Sequence, residues 1–172
     1  AVGYLSEFQS VGFDTETRPS FKKGQRYKIS LMQISTDEAC FLFRLNRIGI
    51  PEALEEFLAN EKVLKIGLSL RDDFGAMRKR TDIQPANFLD LQNYVGQFGI
   101  EDASLQKIYA ILFGEKISKS QRLSNWEAET LTEPQKLYAA TDAWACLNIY
   151  NRLQELKRTG DFEIEANNNV VM

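Results

Sequence analysis

The order of the apolar segments along the chain is the feature that most restricts its fold. Three short segments with strand-like patterns come first, at residues 10–16, 28–35 and 39–45. The turn Thr36-Asp37-Glu38 joins the last two and predicts a hairpin. A helix over residues 51–59, with Pro51 in its first turn, then leads to a buried strand over residues 62–67. A strand meander followed by a crossover and helices predicts a layered α/β fold.

Helical patterns dominate the second half of the chain. The predicted helices cover residues 69–80, 104–113 and 132–157. Ser69 is predicted to cap the first of these helices, and Asp90, after the apolar residues 87–89, is predicted to cap a further one. Thr132 and Gln135 have the spacing of a capping box at the start of the longest helix.

The length of 172 residues predicts a single domain over residues 1–172, with a frayed tail from about residue 161. The first residue is Ala1 rather than Met, which suggests a processed or trimmed start. Nothing approaches the run of about 18 apolar residues that a membrane helix requires, so we expect no membrane association. Cys40 and Cys146 lie in apolar runs and are predicted to be buried free thiols. Such thiols are typical of a reducing compartment, and we expect a cytoplasmic location.

The absence of histidine excludes several kinds of chemistry. Ser-His-Asp and Cys-His catalysis are impossible, and so are histidine-rich metal sites. Two cysteines alone do not form a common four-ligand zinc site, so any metal is held by oxygen, which indicates magnesium, manganese or calcium. The net charge of −3 argues against a protein that coats nucleic acid nonspecifically. It does not exclude an enzyme on nucleic acid, because bound cations invert the charge of a carboxylate cluster.

Two acidic residues follow the apolar start of the first predicted strand. Asp14 and Glu16 are two positions apart, so a strand presents both side chains on one face. Such a pair is costly to bury without a counter-charge. In the alternative interpretation the strand ends at Phe13 and both acids lie in a solvated loop.

Two further acidic positions belong to predicted helices. Tyr138 and Asp142 are four residues apart and share a helix face; the alternative is a local contact on a solvated face. Asp72 and Asp73 fall in the first turn of a helix after a buried strand. Acids there also complement the helix dipole, and on local grounds either residue fits that role. Acids from these places can converge into a four-carboxylate site of charge about −4, which two divalent cations would neutralise and which suits phosphoryl transfer.

At these residues the sequence resembles the DEDD exonuclease superfamily, in its tyrosine-bearing branch. The motifs are VGFDTET, IGLSLRDDFGAM and YAATDAWA, the last approached through QRLSNWEAETLTEPQKL. The likeness runs over about residues 11–153 and, within the superfamily, is most similar to the Werner syndrome exonuclease domain and more distantly to ribonuclease D. It implies a ribonuclease H-like fold, with a mixed sheet of about five strands and flanking helices.

The resemblance also implies the roles of the site residues. Asp14 would bridge two metal ions, Glu16 and Asp142 would complete the inner metal site, and Asp73 would bind the outer ion through water. Tyr138 would orient the attacking water or help to deprotonate it. Asp73 is preferred to its neighbour Asp72 because a large apolar residue follows it, as in the family.

The function implied by the resemblance is two-metal 3'-5' exonuclease activity, with Mg²⁺ or Mn²⁺ as the ions. Such an enzyme hydrolyses phosphodiester bonds at the 3' end of DNA or RNA, releases nucleoside 5'-monophosphates, and can serve DNA repair. One alternative is a catalytically silent nucleic-acid-binding or scaffold module, whose mark would be a missing carboxylate; none is missing. Another is a ribonuclease H-like endonuclease, against which the Tyr-x-x-x-Asp motif argues.

Basic residues suggest where a nucleic acid could bind. A loop directly after the acidic pair carries five of them, at Arg18, Lys22, Lys23, Arg26 and Lys28. The loop could meet the phosphate backbone or be an ordinary solvated hairpin loop. Basic residues before the last helix could also contact substrate, namely Lys116, Lys119 and Arg122. Trp126 is predicted to pack in the core rather than to stack on a base.

Overall fold

A five-stranded mixed sheet forms the centre of the molecule, described over residues 1–102 and 104–161 of a computed structural model. The strands are β1 (Ser10–Thr17), β2 (Ile29–Ser35), β3 (Cys40–Phe43), β4 (Leu64–Gly67) and β5 (Phe88–Asp90). They lie in the order β3-β2-β1-β4-β5. The meander of β1, β2 and β3 is antiparallel, whereas β4 runs parallel to β1 and β5 runs parallel to β4. The predicted mixed sheet of about five strands is confirmed.

Helices cover both faces of this sheet. They are α1 (Val2–Leu5), α2 (Leu45–Ile48), α3 (Glu52–Leu58), α4 (Leu70–Met77), α5 (Leu91–Tyr94), α6 (Leu105–Phe113) and α7 (Glu133–Thr159), with a 3₁₀ turn over Val95–Phe98 after α5. The long helices agree with the sequence patterns. The short helix α2 was not predicted, and the strand predicted over residues 39–45 ends at Phe43 because α2 follows it.

The alternation of side chains along β1 separates the two halves of the core. Val11 and Phe13 are fully buried on the face that packs against α3 and α4. Gly12 points to the opposite face, where α5, α6 and α7 form the second cluster. Both faces of β1 are therefore covered, and its carboxyl end leads out between the two layers of helices.

Helix α7 lies unusually close to β1. A Cβ atom on Gly12 would be 1.8 Å from the carbonyl oxygen of Ala143, so only glycine permits this approach. On the neighbouring strand β2, the Gln33 side-chain amide donates a hydrogen bond to the Ala139 carbonyl at 3.2 Å. These contacts fix α7 against the centre of the sheet, with Tyr138 and Asp142 beside the carboxyl end of β1.

The helix caps lie at the predicted residues, and one of them makes no side-chain hydrogen bond. The capping box is present: the Gln135 N–H donates to the Thr132 hydroxyl at 3.3 Å, and the Thr132 N–H donates to the Gln135 side chain at 2.9 Å. Ser69 is at the N-cap position of α4, as predicted, but its side chain makes no cap hydrogen bond. Ser69 adopts a left-handed φ of 57°, and its hydroxyl donates to Gln92 instead.

Asp90 provides the cap that Ser69 does not. Its carboxylate accepts the backbone N–H groups of Ser69 and Leu70, each at 2.9 Å. It also accepts the N–H of Gln92 at 2.9 Å and so caps α5, which confirms the cap predicted at Asp90. One carboxylate at the end of β5 therefore holds the start of two helices, including the helix that carries Asp73.

The remaining predictions concern the cysteines, a membrane-spanning helix, the C-terminal tail and the number of domains. Cys146 is buried and Cys40 is partly buried, and both are free thiols. No helix in residues 1–102 and 104–161 has the length and apolar character needed to cross a membrane. The frayed tail predicted from about residue 161 lies almost wholly outside the described residues, and the single-domain organisation stays a prediction.

Candidate active site

Three carboxylates meet where the carboxyl end of β1 passes under α7. One oxygen from each of Asp14, Glu16 and Asp142 lies within 4.8 Å of the other two. Strand β1 continues to Thr17, so Asp14 and Glu16 project from the same face as Gly12, toward α7. The interpretation of Asp14 and Glu16 as loop residues is wrong, since they lie within the strand and Glu16 is only 9% exposed.

Asp142 and Tyr138 are likewise buried, at 6% and 8% exposure. The two side chains do contact each other, but the helix face that carries them is buried, so the solvated face of the alternative interpretation is wrong. Their helical spacing of four residues brings both side chains to the acidic end of β1. Burial of an aspartate in mid-helix is costly without a compensating partner. The position of Asp142 therefore indicates that its carboxylate serves to bind a positively charged group.

Asp73 reaches the cluster from the opposite layer of helices. It lies in the first turn of α4, and the Thr15 hydroxyl of β1 donates a hydrogen bond to its Oδ1. Asp72 is exposed, whereas Asp73 is partly buried. Local sequence physics did not separate these two neighbours, but the contact with Thr15 places Asp73, rather than Asp72, against β1.

Burial raises the pKa of all four carboxyl groups, and the charges of the others add to this at Asp14 and Glu16. Burial raises the pKa of Asp14 well above its ordinary value, and the charges of Glu16, Asp142 and Asp73 add to the effect. Burial, followed by the charges of Asp142 and Asp73, raises the pKa of Glu16 to about 8. Burial raises the pKa of Asp142 to about 7 and that of Asp73 to about 6. Without counter-ions, the cluster resists full ionisation near neutral pH.

The donor set fits a hard divalent cation. All the clustered ligand atoms are carboxylate oxygens, which Mg²⁺ and Mn²⁺ prefer. Asp142 Oδ1 is buried and accepts no hydrogen bond from any residue in the described part of the chain. A buried acceptor without a donor is costly, and a cation would satisfy it. The residues therefore fit a divalent metal centre.

Tyr138 is held beside the carboxylates by an aromatic partner. Its ring stacks on Trp126, with centroids 6.0 Å apart and planes at 30°. Trp126 is fully buried, which confirms that it packs in the core. Burial first, and then the charges of Asp142, Glu16 and Asp14, raise the pKa of Tyr138 above its ordinary value. The phenol is therefore a hydrogen-bond donor aimed at the acidic cluster.

Several supporting residues were not found from the sequence. Gly12 admits α7, Thr15 holds Asp73, and Gln33 ties α7 to β2. Glycine inside a strand pattern is a signal of close backbone approach and could have singled out Gly12. The partners of Thr15 and Gln33 come from distant segments, so no local pattern indicates them.

Comparison with known proteins identifies the family. A family model described as 3'-5' exonuclease matches residues 2–157. The chain belongs to this 3'-5' exonuclease family. The mouse protein described as bifunctional 3'-5' exonuclease/ATP-dependent helicase WRN is 34% identical over 161 residues, which are 90% of this chain and 12% of that protein. The chain thus spans about an eighth of that relative's length.

Solved structures show the same fold. The Aedes aegypti Nibbler EXO domain matches with a TM-score of 0.79 and 22% identity, covering 96% of this chain and 89% of that one. Escherichia coli RNase D matches with a TM-score of 0.76 and 20% identity, covering 99% of this chain and 45% of that one. The ribonuclease H-like architecture expected from the motifs is confirmed.

The raised pKa values predict how stability depends on pH. We expect the melting temperature of the metal-free protein to fall as pH rises from about 4 to about 8. Over this range the folded protein holds protons on Asp73, Asp142 and Glu16 that the unfolded chain releases near pH 4, so each rise in pH favours unfolding. Thermal melts in a chelating buffer across this range measure the effect.

The matched controls for this pH profile are two asparagine variants. Asp142→Asn should flatten the profile because one of the raised groups is gone, whereas Asp72→Asn, at an exposed position, should change it only slightly, through the loss of its charge beside Asp73. Mn²⁺ should restore the melting temperature most strongly at the alkaline end. A metal-free melting temperature that stays level or rises between these pH values would contradict the assigned electrostatics.

Proposed function

We propose that this chain is a two-metal-ion 3'-5' exonuclease of the tyrosine branch. Its reaction is the hydrolysis of the terminal phosphodiester bond at a nucleic-acid 3' end, with release of a nucleoside 5'-monophosphate. The observation that carries the proposal is the convergence of Asp14, Glu16 and Asp142 within 4.8 Å, beside Tyr138. Asp73 adds a fourth carboxylate through its contact with Thr15.

The carboxylates are divided between two Mg²⁺ or Mn²⁺ ions in this proposal. Asp14 would serve both ions, Glu16 and Asp142 would complete one site, and Asp73 would contribute to the other. The ions would supply Lewis acidity at the phosphate and lower the pKa of the attacking water. Four carboxylates balance the charge of two divalent ions, which accounts for a buried acidic cluster in a stable fold.

The protein's own groups orient the reactants. The phenol of Tyr138, whose ring stacks on Trp126, would hold the attacking water through a hydrogen bond. The Thr15 hydroxyl and the helix caps of Asp90 hold Asp73 in one position. This rigidity keeps the reacting groups aligned, because all the functional side chains lie on strands and helices rather than on loops.

The experiment that tests the proposal uses linear DNA and RNA strands labelled at the 5' end, incubated with Mg²⁺ or Mn²⁺. The expected result is a ladder of products shortened from the 3' end, with nucleoside 5'-monophosphates identified by chromatography. Circular single strands should stay intact; their cleavage would instead indicate an endonuclease. Strand binding without any release of nucleotide would favour the silent module. A cytoplasmic location and a role in DNA repair stay predictions.

Tyr138→Phe tests the role of the phenol. We expect kcat to fall by about 10²-fold, because groups that position or transfer a proton contribute about 10²–10⁴ to rate. The stabilisation of the protein by Mn²⁺ should be retained, since the four carboxylates remain. Single-turnover hydrolysis and thermal melts, with and without metal, measure the two effects separately.

Tyr150→Phe is the matched control for Tyr138→Phe. Tyr150 lies on the same helix, 12 residues further along and so about 18 Å from Tyr138 along the axis. It packs against Tyr94 rather than against the carboxylates. An unchanged kcat in Tyr138→Phe, or an equal loss in Tyr150→Phe, would show that the phenol of Tyr138 has no direct role.

A further inference from the structure

A groove lies beside the acidic cluster and is not used by the proposed chemistry. It has a volume of about 360 Å³ and runs between the loop of residues 18–28 and the segment 123–125. Its lining includes Arg18, Phe21, Lys22, Tyr27 and Leu123. We call it the basic groove.

Side-chain contacts hold the residues at the floor of the basic groove in place. The Arg18 guanidinium lies over the Tyr27 ring at 4.7 Å and forms an ion pair with Glu127 at 3.4 Å. The Gln25 side-chain amide donates to the Tyr27 hydroxyl at 3.0 Å. These contacts tie the loop to the segment before α7, so the groove is an ordered surface rather than a gap beside a free loop.

The charge around the groove is strongly positive. Residues 18–35 contain five lysines and arginines and no acidic residue, although the whole chain has a net charge of −3. Four of the five cations are exposed, namely Lys22, Lys23, Arg26 and Lys28. A cationic surface on an acidic protein suits a polyanion and offers little to an acid-poor protein partner.

The groove also presents apolar surface to solvent. Phe21 is 85% exposed, the highest value among the large hydrophobic side chains in the described part of the chain. Leu123, on the facing wall, is 60% exposed. An exposed aromatic ring next to cations is the combination that binds single-stranded nucleic acid, by stacking on a base while the cations contact phosphates. A duplex hides the faces of its bases, so the ring favours a single strand.

The groove begins next to the carboxylates. Arg18 follows Glu16 by two residues, and two extended residues span at most about 7 Å. A strand whose 3' end lies at the carboxylates therefore reaches the groove within its last few nucleotides. The basic loop was open to two interpretations from the sequence, and its ordered floor and exposed ring now favour substrate contact over a solvated hairpin loop.

We propose that the basic groove binds a single-stranded segment of the substrate strand just before its 3' end. Phe21 stacks on a base, and Lys22 and Lys23 contact phosphates. This inference rests on the proposed function for the direction of the strand. It makes single-stranded or frayed 3' ends the preferred substrates over blunt duplex ends.

The test measures the binding of fluorescent single-stranded oligonucleotides, of DNA and of RNA, with phosphorothioate linkages that resist hydrolysis. Phe21→Ala should weaken binding about tenfold, the range for loss of one stacked base, and Phe21→Trp should restore it. In Lys22→Ala/Lys23→Ala, the slope of log affinity against log salt should become shallower by about 0.7 for each phosphate that the protein no longer neutralises. Binding of a blunt duplex should not depend on Phe21.

Lys62→Ala is the matched charge control. Lys62 is exposed and precedes β4, which runs parallel to β1, so it lies at the opposite end of the strands from the loop that follows β1. Its substitution should leave affinity and salt slope unchanged. Wild-type affinity in Phe21→Ala, equal dependence of duplex binding on Phe21, or an equal effect of Lys62→Ala would overturn the inference.

Hydrolysis of unmodified strands separates this inference from the proposed function. If the wild-type protein binds single strands through Phe21 and releases no nucleotide with either metal, the proposal that the basic groove binds single strands is supported and the exonuclease proposal is contradicted. If it releases nucleotides and the groove variants bind and cleave as the wild type does, the exonuclease proposal is supported and the proposal that the basic groove binds the strand is contradicted.

Discussion

Asp14→Asn is expected to lower the rate of 3'-end hydrolysis by at least about a thousandfold while leaving the protein folded. The substitution removes the ligand proposed to serve both ions. Metal ions stabilise transition-state charge by several kcal/mol, and each 1.36 kcal/mol corresponds to a tenfold change in rate. Asparagine has nearly the shape of aspartate, so the packing of β1 against α7 should be preserved.

The same substitution should have the opposite effect on the stability of the metal-free protein. Asp14 is the group whose pKa is raised by burial and by all three other carboxyls, and a neutral amide removes that repulsion. We therefore expect the metal-free melting temperature near neutral pH to rise or stay level. The extra stability that Mn²⁺ gives the wild type should be lost, because stabilisation by a ligand depends on its affinity for the folded state.

The measurements are initial rates on 5'-labelled strands and thermal melts with and without Mn²⁺. Asp72→Asn is the matched control, since it removes one acid from the same protein at an exposed position. It should keep both the rate and the stabilisation by metal. Undiminished hydrolysis by Asp14→Asn would exclude the carboxylate cluster as the catalytic centre.

The sequence predicted those parts of the site that depend on local periodicity. Asp14 and Glu16 share a face because a strand alternates, and Tyr138 and Asp142 share a face because a helix repeats every 3.6 residues. These relations hold wherever the elements pack. Periodicity did not show whether the acids are buried, because the solvated alternatives have the same spacing. The packing of α7 on β1 buries them.

The parts of the structure that depend on distant contacts were less predictable. Asp72 and Asp73 fit the first turn of α4 equally well, and the hydrogen bond from Thr15 and the greater burial of Asp73 distinguish them. Ser69 has the residue type of a cap, but Asp90, which follows it by 21 positions, provides the cap through the parallel pairing of β4 and β5. Three-dimensional neighbours of this kind leave no periodic signal in the chain.

Gly12→Ala is expected to destabilise the protein by about 3 kcal/mol, at the upper end of the cost of overpacking a core. The added Cβ would lie 1.8 Å from the Ala143 carbonyl oxygen and 2.8 Å from its carbonyl carbon. These are backbone atoms of a long helix, which cannot turn aside as a flexible side chain can. Relief of the clash requires α7 to move away from β1 by about 1 Å or more, and Asp142 and Tyr138 move with it.

The displacement should also lower activity in the molecules that remain folded. Asp14 stays on β1 while Asp142 is carried away on α7, and a misplacement of about 1 Å can cost about 10²-fold in rate. Urea denaturation gives the change in stability, and rates measured well below the melting temperature give the change in activity. Both losses should appear together, since the packing of Gly12 against Ala143 determines both.

Gly75→Ala separates this effect from the general cost or benefit of replacing glycine. Gly75 lies within α4, and a Cβ there would meet nothing closer than an Arg78 side-chain nitrogen at 3.9 Å. Alanine in a helix is favoured over glycine by about 0.5–1 kcal/mol, so this variant should be more stable than the wild type. Wild-type stability and rate in Gly12→Ala would show that α7 is not seated on β1 at this distance. The expected opposite signs follow from the surroundings of the two glycines. The glycine in β1 lies under a helix backbone, whereas the glycine in α4 has space for a Cβ atom and lies in a helix, which favours alanine.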